Sequence, residues 1–186
     1  MVRDTARQDG YSLIEMMFVV GIMAILSAIA ALQIGASRPV LKGDGGMRVV
    51  MGQMNQAREL AITHRKYMRL VFSGAIQVQI LREDTPTTTT SMSTTLMEGG
   101  LQYALISGLP DTPDAFGKAT PLDFGTAVNV KFTPDGRLVN QDGSTINGTV
   151  FIAWQNQTLS ARAITVLGST GRVRGYRWDG KAWKVV

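Results

Sequence analysis

Apolar positions are unevenly spread along this chain. From Met16 to Ser37 there is no Asp, Glu, Lys or Arg, whereas the rest mixes apolar and charged residues as a water-soluble domain does. A helix over residues 11–37 would be about 40 Å long at ~1.5 Å per residue, enough to cross a hydrocarbon layer of about 30 Å. Arg38-Pro39 and then Gly43, Gly45 and Gly46 predict a break, kink or loosening over residues 38–46. Helical periodicity then resumes. Met47, Val50, Met51, Met54, Ala57, Leu60 and Ala61 recur at three- and four-residue steps and form one apolar face, with Arg48, Gln53, Asn55, Arg58 and Glu59 elsewhere. The spacing predicts an amphipathic helix of about five turns, its methionines packed in a core.

From Lys66 the period changes to two. "YMRLVF" and "AIQVQIL", separated by Ser73-Gly74, predict a β-hairpin, and "LQYAL", "VNVKF", "TVFIAW", "AITVL", "RVRGYRW" and "KAWKVV" predict further strands. Turn dipeptides stand at Asp135-Gly136, Asp142-Gly143, Asn147-Gly148 and Asp179-Gly180. Residues 84–95, "DTPTTTTSMSTT", read as a polar exposed loop, and residues 107–121, with Pro110, Pro113, Gly117 and Pro121, as another. The expected fold class is α+β: a long N-terminal hydrophobic helix followed by an amphipathic helix packed on antiparallel sheet. The expected organisation is a leader over 1–10, a membrane-spanning helix over 11–38 and a head domain over 39–186.

The 186-residue chain has no cysteine, which excludes disulfides, thiolate metal clusters and cysteine nucleophiles. Histidine occurs once, as His64 near the end of the amphipathic helix, so neither a Ser-His-Asp triad nor a multi-histidine metal site can be assembled in the usual way. Asp111, Asp114, Asp123, Asp135 and Asp142 fall in Pro/Gly-rich turns, where aspartate caps backbone groups. No G-x-x-x-x-G-K-[ST] phosphate loop is present. The chain reads as no enzyme, with no cofactor and no metal.

Glu15 is the anomaly. It lies four residues into a stretch that otherwise suits a membrane, where an acidic group costs about 2.5 to 3.5 kcal/mol. Arg3, Arg7 and the Ala28-Ile29-Ala30 pattern suit a secretory signal peptide, but the apolar run continues past that point to Ile34. A plain anchor accounts for the length and leaves the carboxylate unexplained. A cut between Gly10 and Tyr11 would create an α-amino group one helical turn before Glu15, about 6 Å along the axis. Glu15 also lies at the positive end of the helix dipole. Between staggered parallel chains, Glu15 of one can then pair with the ammonium of the next.

At these residues the chain resembles a known family. A short polar leader ending in Gly10, then Tyr11-Ser12-Leu13-Ile14-Glu15 and some twenty apolar residues, is similar to the class III signal of type IV pilins and type II secretion pseudopilins, with Tyr11 where Phe is usual and Ser12 where Thr is commoner. The resemblance implies cleavage after Gly10 by a prepilin peptidase, N-methylation of Tyr11, and a Glu15 contact to neighbouring pilin or pseudopilin subunits on an inner-membrane assembly platform. It implies a single-pass bacterial inner-membrane protein with a periplasmic head, drawn into a filament. "MNQARELAITHRKYMRLVF", "VKFTPDGRL" and "ITVLGSTGRVRGYRW" are similar to segments of the GspH/FimT group of minor pilins and pseudopilins, which implies a place at or near a filament tip.

Net charge is +5, and the excess sits in residues 162–186, where Arg162, Arg172, Arg174, Arg177, Lys181 and Lys184 face Asp179 alone. On an extended strand Arg172, Arg174, Tyr176 and Trp178 share one face, with Arg177 on the other. Guanidinium groups interleaved with aromatics suit phosphate contact and base stacking, and FimT-type minor pilins with a G-R-x-R motif are associated with DNA uptake. Arg172, Arg174, Tyr176, Arg177, Lys181 and Lys184 are therefore candidate DNA-binding residues. The other reading makes the arginines a solvated face or subunit interface, with Tyr176, Trp178 and Trp183 in a core. A singly anchored periplasmic binding module that never assembles is the third reading, and it predicts an uncut Gly10.

Overall fold

The computed structural model describes residues 11–85, 87–127, 129–155 and 157–186. The leader and its Gly10 lie outside the described residues. Two compact units divide the chain, residues 1–38 and residues 39–186. Helix α1 is Leu13–His64 and carries Pro39 in its interior. In the first unit it is apolar and bare: Leu13, Ile14, Phe18, Ile22 and Leu26 are all more than half exposed.

In the second unit α1 buries one face. Met47, Val50, Met54, Ala57 and Ala61 are at most 2% exposed, so the predicted apolar stripe is the packed one. Around it are strands β1 (Met68–Ser73), β2 (Gln77–Glu83), β3 (Thr89–Leu96), β4 (Leu101–Tyr103), β5 (Leu122–Asp123), β6 (Val130–Phe132), β7 (Leu138–Val139), β8 (Gly148–Trp154), β9 (Arg162–Leu167), β10 (Arg172–Trp178) and β11 (Trp183–Val185). They form two sheets, β3-β2-β1-β6-β7 and β11-β10-β9-β8-β4, with β5 beside β8. Every pairing is antiparallel. One core joins the helix face to Leu70, Ile80 and Phe132 of the first sheet and Val150, Ile152 and Ile164 of the second. A second core, with Phe151, Ala163, Tyr176, Trp178 and Trp183, fills the other face of the second sheet together with Ile106 and, from the proline-rich loop, Leu109.

Three expectations need correction. Of the break, kink or loosening expected over 38–46, the break is absent: α1 runs unbroken from Leu13 to His64. Gly43 and Gly46 are where it comes closest to the β-structure: a Cβ on Gly43 would lie 2.4 Å from the carbonyl oxygen of Ser160, in the turn before β9, and one on Gly46 would lie 2.6 Å from Leu101 Cδ1 of β4. Glycine here permits close approach, and packing outweighs a propensity cost of about 1 kcal/mol per glycine. Residues 89–96 are strand β3, not loop, because threonine is polar but also β-branched and fits a half-exposed edge position. Asn147-Gly148 makes no hairpin turn. Gly148 opens β8, where a Cβ would meet the Phe124 ring at 2.1 Å, and Asn147 Oδ1 accepts the Gly168 N–H at 2.9 Å.

The glycine contacts predict a sign reversal within four residues. Gly45 has open space around it, so Gly45→Ala should stabilise the head by up to ~1 kcal/mol, whereas Gly43→Ala should destabilise it by about 1 to 3 kcal/mol through overpacking against backbone. Thermal unfolding followed by tryptophan fluorescence checks both, since Trp154, Trp178 and Trp183 all lie in the second unit.

Candidate functional site

Two regions carry the candidate residues. At the start of α1, Ser12 caps the helix: its Oγ accepts the Glu15 N–H at 3.2 Å, and its carbonyl accepts the Met16 N–H at 3.2 Å. Ser-x-x-Glu at a helix start has capping-box spacing. The sequence reading assigned Glu15 to the helix dipole and missed Ser12, although a hydroxyl residue three positions before a glutamate was the available signal. A cap is worth ~1 kcal/mol, less than the 2.5 to 3.5 kcal/mol estimated for an acid in a bilayer. The cap satisfies the Glu15 backbone N–H and not its carboxylate. Glu15 and Tyr11 are exposed, and Leu13–Ala31 is long and apolar enough to cross a membrane.

The second region is the run of terminal strands β9, β10 and β11. Its charges are not free as a group. Arg162 is fully buried; its Nε donates to Asp44 Oδ1 at 2.7 Å, its Nη1 to the Leu159 and Ala161 carbonyls at 2.9 and 2.8 Å, and its Nη2 to the Val40 carbonyl at 2.8 Å. Burial lowers its pKa, partly offset by Asp44. Arg162 thus ties the 40–44 segment of α1 to the sheet, a role sequence reasoning missed by counting it with the tail. Arg174 pairs with Asp114 at 3.2 Å, Arg177 with Asp44 at 3.8 Å, and Lys184 with Asp179 at 3.1 Å.

Asp114 also accepts the Thr165 hydroxyl at 2.6 Å and so straps the proline-rich loop to β9 and β10. Burial pushes its carboxyl up, but the hydrogen bonds from Thr165 and Tyr176 and the charges of Arg174 and Arg172 together hold it below the usual carboxylate value. Asp179 is held at about 2 by the Ala182 and Lys181 backbone N–H groups and by Lys184, which fixes the β10–β11 turn.

The expected face is real in register, since Arg172 pairs across from Leu167, Arg174 from Thr165 and Tyr176 from Ala163. Its aromatics, however, point inward: Tyr176 is 1% exposed, and Trp178 stacks edge-on against Trp183 at 5.4 Å within the second core. Neither ring is open to a base. Arg172 and Lys181 are exposed and, among the described residues, have no acidic partner within ion-pair distance. His64 is exposed at the C-terminal end of α1, where a basic group suits the helix dipole.

This bare apolar helix, its capped acidic start and a head of helix on antiparallel sheet define a class. Residues 5–31 match the prokaryotic N-terminal methylation motif, and the chain has the type IV pilin fold. Among solved structures it is similar to the crystal structure of the type IV minor pilin FimU of Pseudomonas aeruginosa (strain PAO1), with a TM-score of 0.50 and 13% identity, over 76% of this chain and 91% of that one. None of the curated proteins matches the chain. The motif and the fold are those of type IV pilins, and Leu13–Ala31 is consistent with membrane anchoring.

Proposed function

We propose that this chain is a minor pilin or pseudopilin of the GspH/FimT type, cut after Gly10 by a prepilin peptidase, methylated at Tyr11, and assembled into a type IV pilus or type II secretion pseudopilus at or near the tip. The observation that carries the reading is the coincidence of the methylation motif over 5–31 with an apolar, wholly exposed helix at Leu13–Ala31. An exposed hydrophobic surface of that length needs lipid or like helices around it. Both are available to a subunit stored in the inner membrane, with its head in the periplasm, and then drawn onto an assembly platform. Glu15 supplies register by pairing with the Tyr11 ammonium of a neighbour. The test is recovery of the C-terminally tagged chain in filaments sheared from cells that have prepilin peptidase, and its absence from them when the peptidase is deleted.

DNA capture is the second reading. The exposed, unpaired Arg172 and Lys181 favour it, and phosphate contact rather than base stacking is the mode their surroundings allow.

A further inference from the structure

We propose that the cleft on the outer face of the first sheet is a binding site for an acidic sugar, with Tyr67 as its stacking surface and the Arg69–Glu83–Lys131 cluster as its anion-binding floor. The cleft encloses about 680 Å³, within the ~300 to 1,000 Å³ usual for small-ligand sites. No residue of β9, β10 or β11 lines it. The site is independent of filament assembly and of DNA capture.

Sheet register brings the floor together. Met68 and Leu70 of β1 are buried in the core, so the residues that alternate with them, Tyr67 and Arg69, face outward. Arg69 stands directly across from Lys131, on β6. The Tyr67 carbonyl accepts the Glu83 N–H at 2.9 Å, which continues the β1–β2 register and sets Glu83 across from Tyr67. These side chains meet. Arg69 Nε donates to Glu83 Oε1 at 2.8 Å and Lys131 Nζ to Glu83 Oε2 at 3.1 Å, while Lys131 Nζ lies 4.7 Å from the centre of the Tyr67 ring. Between its two cations the Glu83 side chain is 10% exposed.

Two cations share one carboxylate, so the floor holds a positive charge in excess, in half-buried surroundings where an anion is drawn more strongly than at an open surface. Asp84, on the wall, does not cancel it, because its carboxylate is taken by Arg82 and Thr90. Arg65 and Lys66 add positive charge at the lip, and Asp142 is the opposing carboxylate. The ring of Tyr67, 42% exposed, offers a flat apolar surface. The Asn129 amide, the Thr85 hydroxyl and the Asp142 carboxylate offer donors and acceptors together, as hydroxyl groups require. A pyranose that bears a carboxylate matches all of this with its single charge, its flat C–H face and its ring of hydroxyls. An acidic peptide supplies the charge without the face.

The test is calorimetric titration of the full chain in detergent with trigalacturonate, its neutral methyl ester and triglutamate. Trigalacturonate should bind about tenfold or more tightly than the ester, the effect of one charge-assisted contact. Tyr67→Ala should weaken its binding roughly tenfold, and Tyr67→Phe, which keeps the ring, should leave it unchanged. Lys131→Gln should also cost about tenfold. If Lys131→Gln does not fold, the two Tyr67 variants decide the matter. Equal binding of triglutamate would overturn the sugar as ligand, and equal binding of the ester would overturn the anionic floor. Trigalacturonate binding that neither Tyr67→Ala nor Lys131→Gln alters would overturn the cleft as its site, and no binding would overturn the proposal outright.

Discussion

Glu15→Ala is expected to leave cleavage after Gly10 intact and to remove the chain from filaments. The side chain is exposed, so its loss does not disturb the head. In the filament proposed above it would face apolar helices and the ammonium of a neighbour, and removing one partner of a desolvated pair costs about 3 to 5 kcal/mol. That corresponds to a fall of roughly 100-fold or more in the chain recovered from sheared filaments. Ser12→Ala separates the two roles of this helix start. It removes a cap worth ~1 kcal/mol and leaves the pair, so assembly should fall only a few-fold. Equal losses in the two variants would mean that Glu15 serves as a cap and not as a register device.

The second large effect is in the head. Asp44→Ala leaves the fully buried Arg162 without its close counter-charge and with Arg177 nearby, and should destabilise the head by about 3 to 5 kcal/mol. For a domain of this size that lowers the melting temperature by on the order of 10 °C. Asp44→Asn keeps a neutral acceptor for Nε and should cost less. Adding Arg162→Met to Asp44→Ala should restore much of the loss, because an apolar side chain no longer needs the pair. If the double variant is as unstable as the sum of the singles, the two residues are not coupled, and the latch between helix and sheet is wrongly drawn.

What the sequence made legible follows from the range of the interactions. The bare helix and the buried face from Met47 to Ala61 are short-period patterns, and they stand in the structure where the period put them. Strands β1, β2, β8, β9 and β10 alternate or run apolar between turn residues and were likewise readable. β3 was not, because a threonine run looks like a linker by polarity and like a strand by branching, and only pairing with β2 decides. Gly43 and Gly46 look like helix breakers until Ser160 and Leu101 are seen against them. The partners of the basic tail are out of sequence range for the same reason. Its counter-charges are Asp44, 118 positions from Arg162, and Asp114, 60 positions from Arg174, distances at which no local pattern operates.

The most direct test of the whole account is the intact mass and N-terminal sequence of the membrane-extracted chain. A polypeptide that begins at Tyr11 and carries one added methyl group on its amino terminus is the expected result. A chain that still carries Gly10 would leave Glu15 without its ammonium partner, and one cut after Ala30 would have lost Glu15 altogether; either result would contradict the filament reading.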